Sequence, residues 1–400
     1  MNQAPGGQSP RSRQALDDRR WMTRALLLAR RGGAATRPNP RVGAVVARGG
    51  RLLGEGFHRG AGTPHAEINA LEAVQGRQAA GATLYVTLEP CCHTGRTGPC
   101  TTAVIAAGIT RVVVGGRDPN PLVNGRGIVR LRRAGIRVDV GCLEEECAAL
   151  NRPFFSWIRD RRPLVTMKAA ASLDGFIADG HPRPGAAPVW ITGHRARAAS
   201  HRLRGEHHAI LVGAGTVISD DPRLTVRLPR SGRPRERTVG APALPHPLQP
   251  PFLRVILDGK LRIPPGAAVL APTRGARTLV LGAKGAPSAR ANALRRAGAE
   301  VELLPARQGR IDLARVLAAL ADRQIQSLLV EGGAQIHAAF IAAGLVDRVA
   351  LFYAPLLLGG GVPVAAAAPG RATSRLVLGP LRVKRLGPDL LIQADVVRRR

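Results

Sequence analysis

Three side chains that bind zinc well and one carboxylate stand at short spacings in the first quarter of the chain. His65-Ala66-Glu67 is followed by Pro90-Cys91 and then by Cys100. One imidazole and two thiolates leave the fourth position of a tetrahedral zinc ion open, as in catalytic rather than structural sites. Water in that position loses a proton near neutral pH and becomes a nucleophile. Glu67 would lie close to the metal without binding it and would carry the proton to a leaving amine, as in zinc deaminases.

The spacing alone leaves other interpretations of this cluster open. Eight residues separate Cys91 from Cys100, whereas two separate the cysteines in the signature of zinc deaminases. Cys92 and His93 therefore stay open as ligands, and His93 would complete a closed, purely structural zinc site. A further alternative is that these residues are unrelated, with a surface histidine and structural cysteines.

Cysteine usage and hydropathy indicate the compartment. The count of five cysteines is odd, and three of them (Cys91, Cys92 and Cys100) lie within ten residues, which indicates reduced thiols near a metal rather than a disulfide framework. No apolar run has the length of a membrane span. The stretch at residues 25–29 is flanked by arginines and is too short for a secretory signal. We therefore expect a cytoplasmic protein with no membrane partner.

The chain is strongly basic, with 59 Lys and Arg against 27 Asp and Glu and a net charge of +32. Such a charge attracts phosphorylated metabolites, nucleotides or nucleic acid. The arginines are scattered through the sequence, which favours a general Arg-rich composition over a dedicated nucleic-acid surface. Two Tyr and seven Phe are few for stacking on bases. The expected partner is a phosphorylated small molecule and not a nucleic acid.

Strands that alternate with helices must position these residues, and they predict two α/β domains. We expect a disordered tail at residues 1–19, a first domain at 20–150 and a second at 163–400, with a break rich in proline and arginine between the two. In the first domain a helix capped at Asp17 and Asp18 precedes a hairpin of residues 41–47 and 52–58. Thr63-Pro64 should begin the helix that carries the His-x-Glu motif.

The second half shows weaker signals. A buried strand at residues 327–330 runs into Gly332-Gly333 and a predicted helix, whose first N–H groups would suit an anion, although such a pair is as common in a plain turn. Residues 212–216 follow a strand without the full dinucleotide fingerprint. Asp220-Asp221 is either a metal-binding pair or the cap of a turn. Residues 228–251, rich in proline and arginine, predict a mobile surface loop.

Residues 87–100, TLEPCCHTGRTGPC, resemble the bifunctional riboflavin-biosynthesis deaminase/reductase family, in which the longer loop between the cysteines is the normal form. The resemblance extends over about residues 20–395, in the order deaminase then reductase. It implies a cytidine-deaminase-like α/β/α domain followed by a dihydrofolate-reductase-like α/β domain, with Zn²⁺ and NADPH as cofactors. The other matching stretches are residues 38–42, 56–65, 118–127, 167–175, 190–192, 217–226 and 330–333.

The resemblance also implies roles for single residues. The zinc ligands would be His65, Cys91 and Cys100, the proton carrier Glu67, and Cys92 a bystander. Asn39 would face the substrate, or would simply be a turn residue between two prolines. The cofactor contacts fall on Ala170, Trp190, Thr216, Asp220 and Gly333, and the substrate contacts on Arg204, Leu224, Arg227 and Glu331. Arginine can hold a sugar phosphate through two hydrogen bonds, but without the resemblance both arginines would pass for surface charges.

The implied reactions are the hydrolytic deamination of 2,5-diamino-6-ribosylamino-4(3H)-pyrimidinone 5′-phosphate and the NADPH-dependent reduction of its ribosyl chain to ribityl. Lys168 and Glu331 are candidates for the general acid of the reductase. Two alternatives are a nucleic-acid-editing zinc deaminase and a deaminase whose reductase-like half is an inactive module. A homo-oligomer is compatible with the sequence, which does not fix the oligomeric state.

Overall fold

The computed structural model describes residues 10–74, 79–94, 98–180, 190–227, 252–273, 275–307, 310–366 and 375–397. The chain divides into two compact units between Asp160 and Arg161, and each is described by itself. Within the described residues, no helix is both long and apolar enough to span a membrane. The loop predicted at residues 228–251 lies outside the described residues.

The first unit contains a mixed sheet between two layers of helices. Its elements in chain order are α1 (Pro10–Arg31), a short 3₁₀ turn (Gly33–Thr36), β1 (Gly43–Arg48), β2 (Arg51–Phe57), α2 (Ala66–Glu72), β3 (Thr83–Val86), α3 (Cys100–Ala106), β4 (Arg111–Val114), α4 (Arg126–Arg133), β5 (Arg137–Val140) and α5 (Glu144–Asp160). The described strands follow the order β2-β1-β3-β4-β5. The hairpin β1–β2 is antiparallel, as predicted, and β3, β4 and β5 are parallel.

Burial along the strands explains the three layers. Because successive side chains of a strand point to opposite faces, Val45 and Tyr85 pack with Trp21 and Met22 of α1. Their neighbours along the strands pack on the other face with α2, α3 and α4; among them are Ala44, Val46, Leu84 and Val86. The sheet is therefore covered on both faces, and the predicted α/β/α architecture of this unit is confirmed.

The prediction of disorder at residues 1–19 is wrong from Pro10 onward, because α1 begins there. Asp18 does not cap this helix. Its carboxylate receives two hydrogen bonds from the Arg111 guanidinium, at 2.8 and 2.7 Å, and one from the Tyr85 hydroxyl. A buried ion pair with β4 thus anchors a segment whose composition alone indicates disorder. Residues 1–9 lie outside the described residues.

Two further boundaries differ from the prediction. Helix α2 begins at Ala66 with His65 as its N-cap residue, because the Thr63 hydroxyl bonds the backbone of Gly60 instead of the helix. The first unit extends to Asp160 rather than to residue 150, since α5 continues through Pro153. The amide of Asn151 accepts from the Arg41 N–H and donates to the Arg41 carbonyl, both at 2.8 Å. This contact and the buried Phe154 hold α5 in the first unit.

The second unit is built on a larger sheet. Its elements are β6 (Leu164–Ser172), β7 (Phe176–Ala178), α6 (His194–Glu206), β8 (Ala209–Gly213), α7 (Ala214–Asp220), β9 (Phe252–Leu257), β10 (Ala276–Ala283), α8 (Ser288–Arg296), β11 (Glu300–Leu304), β12 (Ala306–Arg307), β13 (Arg310–Ile311), α9 (Leu313–Asp322), β14 (Ser327–Val330), α10 (Ala334–Ala342), β15 (Arg348–Ala354), β16 (Val362–Pro363), β17 (Arg382–Leu386) and β18 (Asp389–Asp395). The order of the described main sheet is β11-β10-β9-β8-β14-β6-β15-β18-β17. The strands are parallel from β11 to β15, and β18 and β17 are antiparallel.

The strand order positions the second site. Because β8, β14 and β6 are parallel neighbours, their carboxyl ends lie at one edge of the sheet, where α/β sheets bind ligands. Both faces are packed: Val165, Leu211 and Leu328 belong to one apolar cluster, while Ile210 and Leu329 belong to clusters on the other face. The dihydrofolate-reductase-like α/β fold expected for this unit is confirmed by the family match and the solved relatives described below.

Candidate active sites

The first site lies where α2 and α3 begin. His65 precedes α2 and Cys100 opens α3, so their side chains meet that of Cys91, which follows β3. His65 Nδ1 lies 3.3 Å from Cys100 Sγ and 3.6 Å from Cys91 Sγ. Among the described residues these three form a group that could hold a metal ion, with ligand atoms within 4.8 Å of one another. The structure therefore brings together the three predicted ligands.

The neighbouring side chains in the loop point elsewhere. Cys92 Sγ lies 3.8 Å from the carbonyl oxygen of Leu122, outside the group of three. His93 lines the cavity beside the group, but its ring nitrogens are not part of it. The described residues thus supply three protein ligands, the number with which catalytic zinc sites hold the metal.

The electrostatics of the group suit a divalent cation. The hydrogen bond from Cys100 and the neighbouring His65 hold the pKa of the Cys91 thiol well below its usual range, although burial opposes this. The bond to Cys91 and burial raise the pKa of Cys100, so without a cation the two sulfurs compete for one proton. A zinc ion takes the place of that proton and binds both sulfurs as thiolates. The donor set therefore fits zinc.

Glu67 points into the same place from the first turn of α2. It is 4% exposed, and burial together with the Cys91 charge raises the pKa of its carboxyl to about 7, against the effect of His65. A carboxyl group with a pKa near the working pH both accepts and donates protons readily. The position and environment of Glu67 are those required of a proton carrier.

A cavity of about 370 Å³ opens onto the group. Asn39, Asp118 and Phe154 are among its lining residues. The Asn39 amide lies 3.1 Å from His58 Nε2, and the His58 ring meets that of His65 edge to face with centroids 5.2 Å apart. Asn39 is therefore a cavity residue one side chain away from the predicted ligand. A cavity of this size, lined by both apolar and polar side chains, accommodates a small ligand.

Glu89 fixes the loop that carries Cys91. Its buried carboxylate accepts four backbone N–H groups, those of Asp118, Gly125, Gly127 and Ile128, at 2.9–3.4 Å. Gly127 comes so close that a Cβ atom there would lie 2.1 Å from the carbonyl oxygen of Pro90. The start of α4 and the cysteine loop are thereby locked together.

The second site contains a buried cluster of charges at the carboxyl edge of the larger sheet. Glu331, directly after β14, receives Arg204 Nε and Nη2 on its two oxygens, each at 2.7 Å. Lys168 Nζ of β6 lies 3.3 Å from Glu331 Oε2. Although burial opposes ionisation, Arg204 and Lys168 hold the pKa of Glu331 well below its usual range. Burial lowers the pKa of Lys168, against the effect of Glu331.

Two of the predicted cofactor residues meet at the start of α10. The Gly333 N–H donates to the Thr216 hydroxyl of α7 at 3.2 Å. At Gly332 a Cβ atom would lie 2.9 Å from the backbone of Val212 and Gly213. A side chain at position 332 would push the turns after β8 and β14 apart, so the close approach of the two turns requires glycine at this position. The tight pair of turns at a helix N-terminus fits a phosphate group.

The remaining predicted residues occupy different positions in the second unit. Ala170 is half-buried on β6, and Leu224 is buried in a left-handed backbone conformation, with φ of 50°. Trp190 is 62% exposed, with the Arg197 guanidinium 4.9 Å from its ring centroid. Asp220 is exposed at the end of α7, where it accepts the Ser219 hydroxyl. Helix α7 itself was missed, because its sequence looks like a glycine-rich turn.

Three cavity residues of the first site were also missed: His58, Glu89 and Asp118. Burial, the charge of Glu89 and that of Cys91 raise the pKa of Asp118 to about 6. The stretches at residues 56–65, 87–100 and 118–127, which carry the resemblance, contain all three. That signal was present, but residue type alone did not separate them from their neighbours.

Two family models match the chain, one in each unit. The model for the cytidine and deoxycytidylate deaminase zinc-binding region matches residues 16–116, and that for the RibD C-terminal domain matches residues 163–392. The riboflavin biosynthesis protein RibD of Aquifex aeolicus is 42% identical to this chain over 377 residues, which cover 94% of this chain and 97% of the relative.

Solved structures of relatives are similar to this chain over both units. RibD of Acinetobacter baumannii, form 1, superposes with a TM-score of 0.80 at 35% identity, covering 96% of this chain and 100% of its own. A diaminohydroxyphosphoribosylaminopyrimidine deaminase/5-amino-6-(5-phosphoribosylamino)uracil reductase from Thermotoga maritima gives 0.77 at 34% identity, with the same coverage.

Proposed function

We propose two reactions for this chain, which belongs to the RibD family of riboflavin biosynthesis proteins. In this family a zinc-dependent deaminase is joined to a reductase domain. The first unit deaminates 2,5-diamino-6-ribosylamino-4(3H)-pyrimidinone 5′-phosphate, and the second reduces the ribosyl chain of the product to ribityl with NADPH. The observation that carries the deaminase assignment is the meeting of His65, Cys91 and Cys100 beside the buried Glu67.

In the deaminase site His65, Cys91 and Cys100 would hold zinc. Zinc, when bound, supplies the polarisation that makes a water molecule nucleophilic near neutral pH. Glu67 would accept a proton from the water whose oxygen attacks the ring carbon, and would deliver a proton to the amine, which leaves as ammonia as the carbon–nitrogen bond breaks. The cavity walls, with Asn39 among them, hold the pyrimidine ring and limit access of bulk water.

In the reductase site the turn at Gly332-Gly333 and the Thr216 hydroxyl would hold the cofactor phosphates, together with Ala170, Trp190 and Asp220. NADPH supplies a hydride, and the reduction also requires a proton from the protein. Glu331 is held in its ionised form by Arg204 and Lys168, so it is a poor proton donor. Lys168, whose pKa burial lowers, is the better candidate for the general acid.

Arg204, Leu224, Arg227 and Glu331 would contact the substrate in the second unit. Arg204 links Glu331 to the segment after α7, because its Nη1 donates to the Thr225 carbonyl at 3.2 Å. A guanidinium group binds a phosphate more strongly than a neutral donor does, which supports Arg227 as a contact to the 5′-phosphate.

The thiolate ligands of the zinc site require reducing conditions, which supports a cytoplasmic location.

The test supplies the diaminopyrimidine ribotide and NADPH, and follows ammonia release and NADPH consumption separately. Glu67→Gln should retain zinc and lower ammonia release by about 10²–10⁴-fold, the range expected for loss of a general acid–base group. It should consume NADPH normally when the deaminated intermediate is supplied directly. Glu72→Gln, an exposed change on the same helix, is the matched control and should resemble the wild type.

Each alternative has its own outcome in this test. Wild-type ammonia release by Glu67→Gln would contradict the proton-carrier role. No NADPH consumption from the intermediate by an active deaminase would favour an inactive reductase-like module. Ammonia release from single-stranded RNA or DNA would favour a nucleic-acid-editing enzyme. Replacing NADPH with NADH tests the choice of cofactor.

A further inference from the structure

Helix α6 holds the segment after α7 at two points. Arg204 donates from Nη1 to the Thr225 carbonyl at 3.2 Å. One turn earlier on α6, His201 Nδ1 accepts the backbone N–H of Arg227, also at 3.2 Å. Residues three apart on a helix share a face, so the two side chains hold the segment from the same side. Leu224 and Arg227, two of the proposed substrate contacts, belong to this segment.

The charges around His201 keep its ring able to accept this bond. Burial and the positive charges of Arg204, Arg227 and, more weakly, Lys168 lower the pKa of His201 to about 4, against the effect of Glu331. The imidazole is therefore neutral near neutral pH. A neutral ring with its proton on Nε2 presents the lone pair of Nδ1 to a backbone N–H.

We propose that His201 is a positioning residue of the reductase site. It holds the backbone of Arg227 so that the Arg227 guanidinium contacts the phosphate of the substrate. This inference rests on the substrate role proposed for Arg227. His201 reaches the ligand through Arg227 and takes no part in the transfer of hydride or proton. Its loss should therefore weaken substrate binding and leave the chemical step intact.

The experiment compares two substitutions in the full-length zinc-containing protein, with the deaminated intermediate and NADPH as substrates. Leucine cannot accept a hydrogen bond, whereas the amide oxygen of asparagine can. His201→Leu should raise KM for the intermediate about tenfold, which corresponds to the loss of one hydrogen bond. Its kcat should stay within about twofold of the wild type. His201→Asn should recover KM to within about threefold. Arg202→Leu, an exposed change on the same helix, should leave both constants unchanged.

A second background shows whether His201 acts through Arg227. Arg227→Ala alone should raise KM, and adding His201→Leu to it should change KM by less than about twofold, because the residue being positioned is gone. The dephosphorylated intermediate should likewise bind wild type and His201→Leu equally well. A structural defect would instead lower the melting temperature and reduce kcat in both backgrounds.

Four results would overturn the inference in different ways. Equal KM values for His201→Leu and His201→Asn would show that the accepted hydrogen bond is irrelevant. An undiminished effect in the Arg227→Ala background would show that His201 acts independently of Arg227. If Arg227→Ala leaves KM unchanged, the substrate role of Arg227 is wrong and the positioning role is wrong with it. If Arg227→Ala raises KM but His201→Leu does not, only the positioning role is wrong.

Discussion

Arg204 and Glu331 face each other through two parallel hydrogen bonds of 2.7 Å, with both side chains largely removed from water. These two hydrogen bonds join α6 to the turn after β14, and the same guanidinium also donates a hydrogen bond to the Thr225 carbonyl. Three separate parts of the second unit are therefore tied to one side chain. Loss of Glu331 would leave Arg204 as a buried uncompensated charge, and loss of Arg204 would leave Glu331 with Lys168 alone as its charged partner.

Replacing Arg204 with lysine tests this link. Lysine keeps the charge but cannot make two parallel hydrogen bonds, so Glu331 and Thr225 lose their fixed positions. We expect kcat/KM of the reductase reaction to fall about 10–100-fold. This range corresponds to the loss of about 1.5–3 kcal/mol, the contribution of a hydrogen bond to a charged group. Ammonia release should stay unchanged, because its residues lie in the first unit. Arg202→Lys serves as the control, and an unaffected reductase in Arg204→Lys would contradict the assignment.

Zinc analysis of two serine variants tests the ligand set. Cys100→Ser should purify with far less than one zinc per chain, because the hydroxyl is a much poorer ligand than a thiolate. Cys92→Ser should retain a full equivalent, since Cys92 Sγ lies toward Leu122. Elemental analysis of the purified proteins gives the answer. Full zinc in Cys100→Ser, or loss of zinc in Cys92→Ser, would require a different ligand set.

Glu89→Gln should loosen the cysteine loop. An amide offers one acceptor oxygen where the carboxylate offers two, and its NH₂ group faces backbone N–H groups that need an acceptor. We expect a loss of about 1–3 kcal/mol in the free energy of unfolding, measured by urea titration, together with weaker zinc retention against a chelator. Glu145→Gln, an exposed change on α5, should do neither. Unchanged stability and zinc retention would show that Glu89 does not fix this loop.

Acid should weaken the attachment of α1 through Asp18. Burial raises the pKa of this carboxyl, but hydrogen bonds from Arg111 and Gln14 outweigh it, and the net pKa lies below 3.8. A carboxyl with a lowered folded-state pKa contributes stability above its unfolded pKa, and this is lost as pH falls through the folded value. Between pH 5 and pH 3 the unfolding midpoint of the wild type should therefore fall more steeply than that of Asp18→Asn.

The control for the acid experiment is Asp17→Asn, which removes the same charge one residue away. It should keep the steep wild-type pH dependence, because the hydrogen bonds of Arg111 are made to Asp18. Parallel slopes for wild type and Asp18→Asn would show that the ion pair contributes nothing to acid stability.

The parts of the fold that local patterns determine could be predicted from the sequence. The pair Gly49-Gly50 between two short strand-like stretches gave the hairpin of β1 and β2, and apolar runs gave β8 and β14, because both depend on residues near in sequence. The start of α1 could not be predicted, because it depends on the contact of Asp18 with Arg111, far along the chain. Helix α5 likewise continues through Pro153 because Asn151 binds the backbone at Arg41.

The candidate sites follow the same division. The zinc group could be predicted because histidine and cysteine are uncommon residue types, so that His65, Cys91 and Cys100 can be recognised in the sequence as candidate ligands. The role of His201 could not, since one histidine on a helix is unremarkable until the N–H of Arg227 is seen to meet it. Backbone partners leave no mark in the residue types, so Glu89 was missed for the same reason.

Each of the two large sheets draws its described strands entirely from one side of the junction between Asp160 and Arg161. A break in the gene at that junction would separate no pair of hydrogen-bonded strands. Two shorter genes could thus encode the same pair of sheets, and fusion of the genes would fix equal amounts of the two activities in the cell.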